Sequence, residues 1–541
     1  MKNYLKKLED QIHQNPEKPA LCDYEGAVYT YAQFAQIIER YHIFFQTAGI
    51  KPGDKIAICA KNSARWGILF FAVNTYEAVV VPILADFTAS GATKLIGHSD
   101  SVLLISDPEI WSQMQPDDMP LLRGVINSRE EGLLWHKDHD IARAWEDRDS
   151  LFEQCYPDGF NPRDVIYPDN EKALAFINYT SGTSGDPKGV MLSYGAMSDI
   201  VEQCQQKLSN TPDKLVSMLP LAHMYGLAME FVYPCCTGFT IYFLGKLPSP
   251  SLLMKACAEI QPSIMITVPL VMEKLYQTQI QPQLVGLAAR VPYLRIPFFK
   301  GLGKKLLQSL GGRLETILIG GAPLTWEVES GFRKIGLPYA VGYGMTEACP
   351  LLSLETPEHF EPGSCGKPTH RLRIESSDPE RIPGEIQAQG PNLTMGYYKN
   401  PEADAKAWTP DGWFRTGDLG IMDEDGNVFI KGRIKAIILS SSGQNIYPEE
   451  VEQVLSKHPM VQESLVIERA GKVVALVYPK PGVVPSEDHI RDYTNRSLPV
   501  FSQIFRVELV DLPFRRLGSG RLGDSEVSYR VLGGIFRLAG I

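Results

Sequence analysis

The stretch from Tyr179 to Gly189 constrains this chain more than any other, because its eleven residues hold three glycines, two threonines, two serines and a lysine. Glycines let backbone N–H groups approach a phosphate closely, while hydroxyl groups add donors and a lysine adds positive charge. Apolar runs at Ala173–Ile177 and Val190–Leu192 flank the stretch. We therefore predict a phosphate-binding loop between two strands, with a flexible polar linker as the alternative. No Gly-Lys-Ser/Thr triplet is present, so the spacing disfavours a P-loop ATPase or kinase.

Composition limits the classes of protein to which the chain can belong. Its 541 residues are too many for one ordinary core, so at least two domains are expected. A hydrophobic content of 44% with 21% charged residues is typical of a globular protein, and the net charge of −10 disfavours a nucleic-acid partner. Nine cysteines without a C-x-x-C pair predict neither a zinc site nor a disulfide framework. No signal peptide or membrane span is recognisable, so we expect a cytoplasmic protein.

Apolar runs alternate with segments of helical periodicity between residues 55 and 319, which is the pattern of an α/β fold. One helix is predicted at Ala64–Tyr76. Strands are predicted at Lys55–Ala60, Val79–Leu84, Lys214–Leu219, Ser263–Val268 and Glu315–Ile319.

The pattern changes after about residue 380. Pro383–Gln389 and Asn427–Ile430 have the features of short strands between Gly and Asp turns, which indicates a β-rich subregion. Beyond Lys435, a predicted helix at Pro448–Lys457 and a predicted strand at Val473–Tyr478 indicate a small α+β unit. We therefore predict an α/β fold with a large N-terminal domain, residues 1–434, in which layered α/β subdomains are joined by a β-rich subdomain. A small α+β C-terminal domain, residues 435–541, follows.

The loop Thr180–Gly189 resembles the phosphate-loop signature of the acyl-adenylate-forming superfamily, which includes acyl-CoA synthetases, adenylation domains and luciferases. Further motifs resemble the acyl site, the adenine pocket, two nucleotide motifs and the interdomain hinge of that family. In chain order they are Leu219–Gly226, Gly320–Pro323, Gly342–Glu347, Trp413–Asp418 and Gly432–Lys435. The resemblance covers nearly the whole chain apart from its final residues, and it implies ATP, Mg²⁺ and CoA as cofactors and substrates.

The resemblance also implies a set of ATP-binding residues. Those that would contact the phosphates are Thr180, Ser181, Gly182, Thr183, Ser184, Gly185, Lys188 and Thr346. Gly321, Ala322 and Tyr343 would frame the adenine, and the further ATP-binding residues are Pro323, Gly342 and Gly344. Asp418 and Arg433 would hold the ribose hydroxyls, because a carboxylate is a natural acceptor for a diol.

The implied chemistry is attack of a carboxylate on the α-phosphorus of ATP, during which negative charge builds on the phosphates. The catalytic residues that the resemblance implies are Lys188, His223, Thr346, Glu347 and Arg521, with Glu347 as the Mg²⁺ ligand.

Several of these residues have a structural alternative when each is taken singly. Glu347 could be a surface acid, Asp418 a turn residue and Tyr343 a core residue. His223 could be a histidine with a structural hydrogen bond, rather than a residue beside the acyl carboxylate.

The second step implied by the resemblance is attack of a thiol on the acyl-adenylate. A mobile C-terminal domain would turn about the hinge at Lys435 and bring Gly443, Gln444 and Asn445 to the thiol side of the site. The expected acceptor is CoA, and the phosphopantetheine of an acyl carrier protein is the alternative.

The segments Leu221–Tyr233 and Leu439–Pro448 resemble the long-chain branch of the family, so we expect a fatty acid substrate. Residues 284–310 mix apolar and basic side chains and contain no acid. This composition predicts peripheral contact with an anionic membrane, with an ordinary surface helix pair as the alternative. Pro292 and Pro297 are expected to prevent one continuous helix.

The chain departs from the family near its C-terminus, where a catalytic lysine is expected. Ser519 takes that position without gaps, Arg521 takes it after a two-residue shift, and no lysine occurs after Lys480. Arginine keeps the charge in a wider, planar group. Three explanations are open: Arg521 or Arg516 acts instead, the tail comes from a shifted reading frame or another alteration, or adenylation is impaired. The last would make the chain an adenylate-binding protein without turnover.

Overall fold

Two large sheets organise the chain, and most of their strands coincide with apolar runs in the sequence. The structure, a computed structural model, describes residues 2–180, 187–208, 213–246, 248–284, 292–439, 445–469, 472–483 and 485–514. All statements below on secondary structure and contacts concern these residues.

The first sheet has eight described strands, in the spatial order Gly396–Tyr397, Lys188–Ser193, Leu174–Thr180, Val79–Pro82, Lys55–Cys59, Ser101–Ser106, Gly124–Asn127 and Leu133–His136. Its central strands are parallel, and Val79–Pro82 is buried along its whole length, as expected for a strand covered on both faces. The helix Ala64–Thr75 begins at Ser63, whose side chain accepts a hydrogen bond from the N–H of Trp66.

The second sheet has seven described strands, in the order Tyr339–Val341, Thr316–Ile319, Ile264–Thr267, Lys214–Ser217, Thr240–Phe243, Pro19–Asp23 and Val28–Thr30. All neighbours are parallel except the final pair, which is antiparallel. Loops that follow the parallel strands therefore meet at one edge of the sheet, where α/β proteins commonly bind ligands.

Two small antiparallel sheets lie between residues 343 and 433, and the second of them contains both strands predicted for the β-rich subregion. One contains Tyr343–Gly344, Leu351–Leu354 and Lys367–Pro368, and the other contains Arg371–Glu375, Gly384–Gln389, Phe414–Met422 and Val428–Arg433.

The helices of the region before residue 408 are Tyr4–Gln14, Tyr31–Thr47, Ala64–Thr75, Ala89–His98, Pro108–Trp111, His139–Cys155, Tyr194–Lys207, Tyr233–Cys236, Pro250–Ile260, Pro269–Leu275, Gln281–Leu284, Pro292–Ser309, Trp326–Ile335 and Pro401–Ala407. Short π-helices lie at Gly226–Val232 and Tyr276–Ile280. Among the described residues, no helix combines the length and apolar character needed to cross a membrane.

The C-terminal part of the chain forms a small α+β unit around its own apolar core. It contains the strands Ile438–Leu439, Asn445–Ile446, Val461–Arg469, Lys472–Pro479 and Arg506–Leu509 and the helices Pro448–Leu455 and Glu487–Asn495. Its core side chains include Val451, Leu455 and Ile490. These elements agree with the sequence prediction of an α+β unit, and the five strands predicted between residues 55 and 319 are confirmed with slightly shorter bounds.

Part of the expectation about the basic segment is wrong, because Pro297 does not end a helix, while residues 285–291 before Pro292 lie outside the described residues. Helix Pro292–Ser309 runs through Pro297 without interruption. Pro292 occupies the first helical position, where no backbone N–H is needed, and Pro297 removes only its own N–H from the ladder. Burial of Phe299, Leu302 and Leu306 holds the helix against the domain, which explains why the proline does not end it.

Candidate active site

The phosphate loop lies in a hairpin of the first sheet. Leu174–Thr180 and Lys188–Ser193 are antiparallel neighbours, and Thr180 lies directly opposite Lys188. This pairing confirms the prediction that two strands flank the loop. Ser181, Gly182, Thr183, Ser184 and Gly185 lie outside the described residues.

Lys188 and Glu347 meet at a tyrosine. The Lys188 Nζ lies 5.0 Å from the centroid of the Tyr397 ring, within the range of a cation–π contact. The Tyr397 hydroxyl donates a hydrogen bond of 2.9 Å to Glu347 Oε1. One aromatic side chain thus joins the lysine of the phosphate hairpin to the carboxylate proposed as a metal ligand.

Glu347 lies in the short 3₁₀ turn Thr346–Ala348 and is only 9% exposed, so the surface-acid alternative is wrong. Burial raises the pKa of its carboxyl above the ordinary value, and the hydrogen bond from Tyr397 and the charges of Arg433 and Lys188 act in the opposite direction. The charge of the buried Glu347 carboxyl therefore depends on Lys188, Arg433 and any ligand that binds beside them.

The chemistry of this donor set fits Mg²⁺. Among the described residues, no three His, Cys, Asp or Glu side chains form a group that could hold a metal ion, so an ion at Glu347 would take at most two ligands of these types from that part of the chain. Mg²⁺ characteristically takes one or two protein carboxylates together with oxygens of substrate phosphates and water. Glu347 would hold the ion on the protein side, and the phosphates would complete its coordination.

The residues implied for ribose and adenine come together around Asp418. The Tyr343 hydroxyl donates to Asp418 Oδ2 at 2.8 Å, and Arg433 Nε lies 3.1 Å from Asp418 Oδ1. Asp418 and Arg433 are directly opposite each other in neighbouring antiparallel strands, and Asp418 is 3% exposed. Asp418 is therefore a strand residue with both oxygens engaged, not a turn residue.

Two neighbouring parallel strands bring the glycine motifs together, because Gly320 follows Thr316–Ile319 and Gly342 follows Tyr339–Val341. A side chain at Gly344 would place its Cβ 1.8 Å from the backbone oxygen of Pro350, so only glycine fits there. Gly321 and Ala322 are partly exposed and Pro323 is exposed. The loops implied for adenine are thus adjacent and open to solvent.

The implied acyl motif follows the strand Lys214–Ser217. His223 Nδ1 accepts a hydrogen bond of 3.3 Å from the N–H of Tyr225, which places the proton of a neutral imidazole on Nε2. The Tyr225 hydroxyl lies 3.3 Å from the carbonyl oxygen of Leu318 and 3.4 Å from that of Thr267, at the carboxyl ends of two strands. His223 therefore lies in the same loop layer as the glycine motifs.

The thiol-side and tail residues are not placed in the site by the described residues. Lys435 is exposed in the 3₁₀ turn Ile434–Ala436. Gly443, Gln444 and Arg521 lie outside the described residues, as does the side chain of Asn445.

Comparison with known protein families adds to this geometry. The sequence model of the AMP-binding enzyme family matches residues 8–398, and that of the AMP-binding enzyme C-terminal domain matches residues 450–518. The chain belongs to the AMP-binding enzyme family. The resemblance read from the six sequence motifs is thereby confirmed.

Relatives of this AMP-binding enzyme act on different acids. The long-chain-fatty-acid–CoA ligase FadD15 of Mycobacterium bovis is 28% identical over 474 residues, which cover 81% of this chain and 75% of that protein. The oxalate–CoA ligase of Arabidopsis thaliana is 28% identical over 534 residues, covering 95% of this chain and 96% of that protein.

A solved structure of an O-succinylbenzoate CoA synthetase, MenE of Bacillus subtilis, with ATP and a magnesium ion has the same fold. Its TM-score is 0.76 at 24% identity, covering 98% of this chain and 99% of that one. The predicted fold class, a large N-terminal domain followed by a small C-terminal domain, is confirmed.

Three residues of this AMP-binding enzyme were missed in the sequence. Tyr397 joins Lys188 to Glu347, and its sequence context gives no sign of this. Asn178 and Glu230 did carry a signal, because each is a polar residue inside an apolar run. Both are buried, at 2% and 0% exposure, and a buried polar side chain of this kind requires partners.

Proposed function

We propose that this chain is an ATP-dependent ligase that activates a long-chain fatty acid as acyl-AMP and transfers the acyl group to CoA. Ligation of an acid to CoA is the activity in the names of the relatives, whose acids differ. The observation that carries the proposal is the joining of Lys188 and Glu347 through Tyr397 beside the Asp418 cluster. That arrangement offers separate positions for phosphate, metal and ribose.

In the first step, a carboxylate oxygen of the acid attacks the α-phosphorus of ATP. The bond between that phosphorus and the oxygen that bridges it to the β-phosphorus breaks, and pyrophosphate leaves. Lys188 would offset negative charge on the phosphates. Bound Mg²⁺ would supply further positive charge there, with Glu347 as its protein ligand. Asp418 would accept hydrogen bonds from the ribose hydroxyls while Tyr343 fixes the orientation of its carboxylate.

In the second step, the CoA sulfur attacks the acyl carbon, the bond from that carbon to the AMP oxygen breaks, and the thiol proton is released. His223 would lie beside the reacting carboxyl, with its Nδ1 already occupied by the N–H of Tyr225. We propose that the C-terminal domain turns about Lys435 between the steps and presents residues 443–445 to the thiol.

The side chains that follow His223 favour an apolar acid. The segment 217–236 lies wholly within the described residues and contains no lysine or arginine that could pair with a second carboxylate. Its one acidic residue, Glu230, is directed at the backbone. The buried apolar residues of the segment include Met224, Leu227, Ala228, Met229, Phe231 and Val232. We therefore favour a monocarboxylic acid with a hydrocarbon chain over a dicarboxylate such as oxalate.

Pyrophosphate release across a series of acids tests this proposal. Acids of rising chain length, oxalate and 4-coumarate would each be assayed with ATP and Mg²⁺, with and without CoA. We expect release to rise with chain length and to be faster when CoA removes the adenylate. A preference for oxalate or 4-coumarate would contradict the proposed acid. A carrier protein in place of CoA tests the alternative acceptor.

Peripheral membrane contact is proposed for the helix Pro292–Ser309. Phe299 and Leu302 pack it on the domain, whereas Lys300, Lys304 and Lys305 are exposed. Ile296 of the same helix is 68% exposed, so the solvent-facing side of the helix combines three lysines with one apolar side chain. Sedimentation with anionic liposomes should fall when the three lysines are changed to glutamate. Equal sedimentation of the two proteins would exclude this role for the helix.

The missing lysine favours one alternative, an adenylate-binding protein without turnover. The two functions differ in one assay, because a binding protein takes up ATP without releasing pyrophosphate when acid is added. If Arg521 acts in place of the lysine, Arg521→Ala should abolish acid-dependent release while Arg516→Ala retains it. Unchanged release by Arg521→Ala would remove Arg521 from the mechanism.

A further inference from the structure

The acyl loop, residues 218–223, is held by side chains that come from three other elements. Asn62 forms two hydrogen bonds with the backbone of the loop. Its Nδ2 donates to the carbonyl of Leu219 at 2.6 Å, and its Oδ1 accepts from the N–H of Leu221 at 3.1 Å. Glu230 and Asn178 hold the two ends of the loop. A loop fixed at its start, middle and end keeps one backbone conformation.

Glu230 fixes the start of the acyl loop. Its Oε2 accepts hydrogen bonds from the N–H groups of Met218 at 3.0 Å and Leu219 at 2.8 Å and from the Ser217 hydroxyl at 3.1 Å. The side chain is fully buried, and burial raises the pKa of its carboxyl well above the ordinary value. Burying a carboxyl is costly, and convergence of three donors on one oxygen offsets part of that cost.

The backbone around Glu230 is also unusual. Glu230 lies in the π-helix Gly226–Val232, the segment that directly follows the acyl motif. A π-helix, with hydrogen bonds between residues five apart, is rare and is frequently found at functional sites. The same segment therefore carries both a rare backbone form and the carboxyl that returns to the loop.

Asn178 fixes the end of the acyl loop to the phosphate hairpin. Its Nδ2 donates a hydrogen bond of 3.0 Å to the carbonyl of Ala222, the residue before His223. Asn178 belongs to the strand Leu174–Thr180, which leads directly into the phosphate loop. The bond thus joins the segment proposed to meet the acid to the segment proposed to meet ATP.

We propose that Glu230 and Asn178 are positioning residues that fix the acyl loop, and His223 with it, against the phosphate-binding strand. The inference rests on the proposed function for the reaction that the loop serves. Attack of a carboxylate on phosphorus needs both reactants in a defined geometry, and small displacements are costly in rate. Asn178 ties the end of the acyl loop to the phosphate-binding strand, and Glu230 holds the start of the loop against the π-helix that follows it.

The test compares two ligands in isothermal titration calorimetry on the full chain. AMP reports the nucleotide site alone, and non-hydrolysable acyl-sulfamoyl adenosines of several acyl chains report the nucleotide and acyl sites together. The ratio of the two affinities is taken with the analogue that the wild type binds most tightly. If the natural acid is not a long-chain fatty acid, a different analogue is chosen, and the comparison of affinity ratios can still be made.

Glu230→Leu and Asn178→Leu should lower the affinity for the acyl analogue roughly tenfold or more and leave that for AMP within about twofold. Glu230→Gln should retain the ratio, because one amide oxygen can accept all three hydrogen bonds. A lower ratio of acyl-analogue affinity to AMP affinity in Glu230→Gln would mean that the loop is positioned by the negative charge of Glu230 and not by its hydrogen-bond acceptor. That result would overturn the inference, as would an unchanged ratio in both leucine variants.

Glu329 provides a matched control. It too is a buried carboxyl with a raised pKa, and it accepts a backbone N–H, that of Gly363, at 2.9 Å. Glu329→Leu should lower the melting temperature without changing the affinity ratio. If Glu230→Leu does not fold, Asn178→Leu and Glu230→Gln still decide the matter. A wild type that binds no acyl analogue more tightly than AMP would overturn both the proposed function and this inference.

Discussion

At the scale of single residues, the site is defined by carboxylates whose oxygens are already engaged. Asp418 accepts a hydrogen bond from Tyr343 at one oxygen and pairs with Arg433 at the other. The orientation of its carboxylate is therefore fixed in the absence of a nucleotide. Glu347 is held by Tyr397 in the same way. Pre-oriented groups lose little freedom on binding, which is why we expect substitutions here to change affinity and rate more than fold.

Asp418→Asn should raise the KM for ATP by about tenfold, because the amide keeps the shape but loses the charge and one acceptor for the ribose diol. Tyr343→Phe removes only the hydrogen bond that orients the carboxylate, so its effect should be smaller. Steady-state kinetics at varied ATP would measure both. An Asp418→Asn enzyme with an unchanged KM for ATP would remove this residue from the nucleotide site.

Glu347→Gln should stabilise the protein at neutral pH while abolishing Mg²⁺-dependent pyrophosphate release. Burial raises the pKa of Glu347, so the folded state binds more protons than the unfolded state between the ordinary pKa and the raised one. Stability therefore falls as pH rises through that interval, and the neutral amide avoids this loss. We expect a gain of roughly 2 °C in melting temperature at neutral pH that disappears in acid. An equal gain in melting temperature at neutral and at acidic pH would contradict a raised pKa of Glu347 in the folded protein.

At the scale of elements, the sequence predicted more of the sheets than of the contacts between them. The strands around the phosphate loop were found because apolar runs identify buried strands directly. The sequence did not predict that a helix continues through Pro297. The hydrogen bond lost at a proline can be read from the sequence, whereas the burial of Phe299 against the rest of the domain cannot. Tyr397 could not be found either, since its contact with Glu347 spans fifty positions of the chain.

The hinge prediction also belongs to this scale. Lys435→Pro should impair thioester formation more than adenylation, because proline disfavours the helical backbone that Ile434 adopts in the 3₁₀ turn Ile434–Ala436. Pyrophosphate release and acyl-CoA formation would be measured separately on the same preparation. Lys435→Ala serves as the control, since it removes the charge and keeps the backbone free. Equal loss of both steps in the proline variant would exclude Lys435 as the hinge.

At the scale of the whole molecule, one chain brings together a proposed ATP site, a proposed acyl segment and a small second domain. The family match extends through residues 450–518 and ends before Ser519 and Arg521, where the sequence departs from the family pattern. Of the residues proposed for the nucleotide site, Lys188, Tyr343 and Glu347 lie within the first family match, whereas Asp418 and Arg433 lie between the two matches.

The proposed reaction has two steps, and ATP is cleaved to AMP and pyrophosphate in the first of them. Incubation of the full chain with ATP, Mg²⁺, CoA and palmitate, followed by mass spectrometry of all products, tests it most directly. We predict palmitoyl-CoA and AMP in equal amounts, and palmitoyl-AMP when CoA is left out. Formation of ADP, or consumption of ATP without any acyl product, would contradict the account.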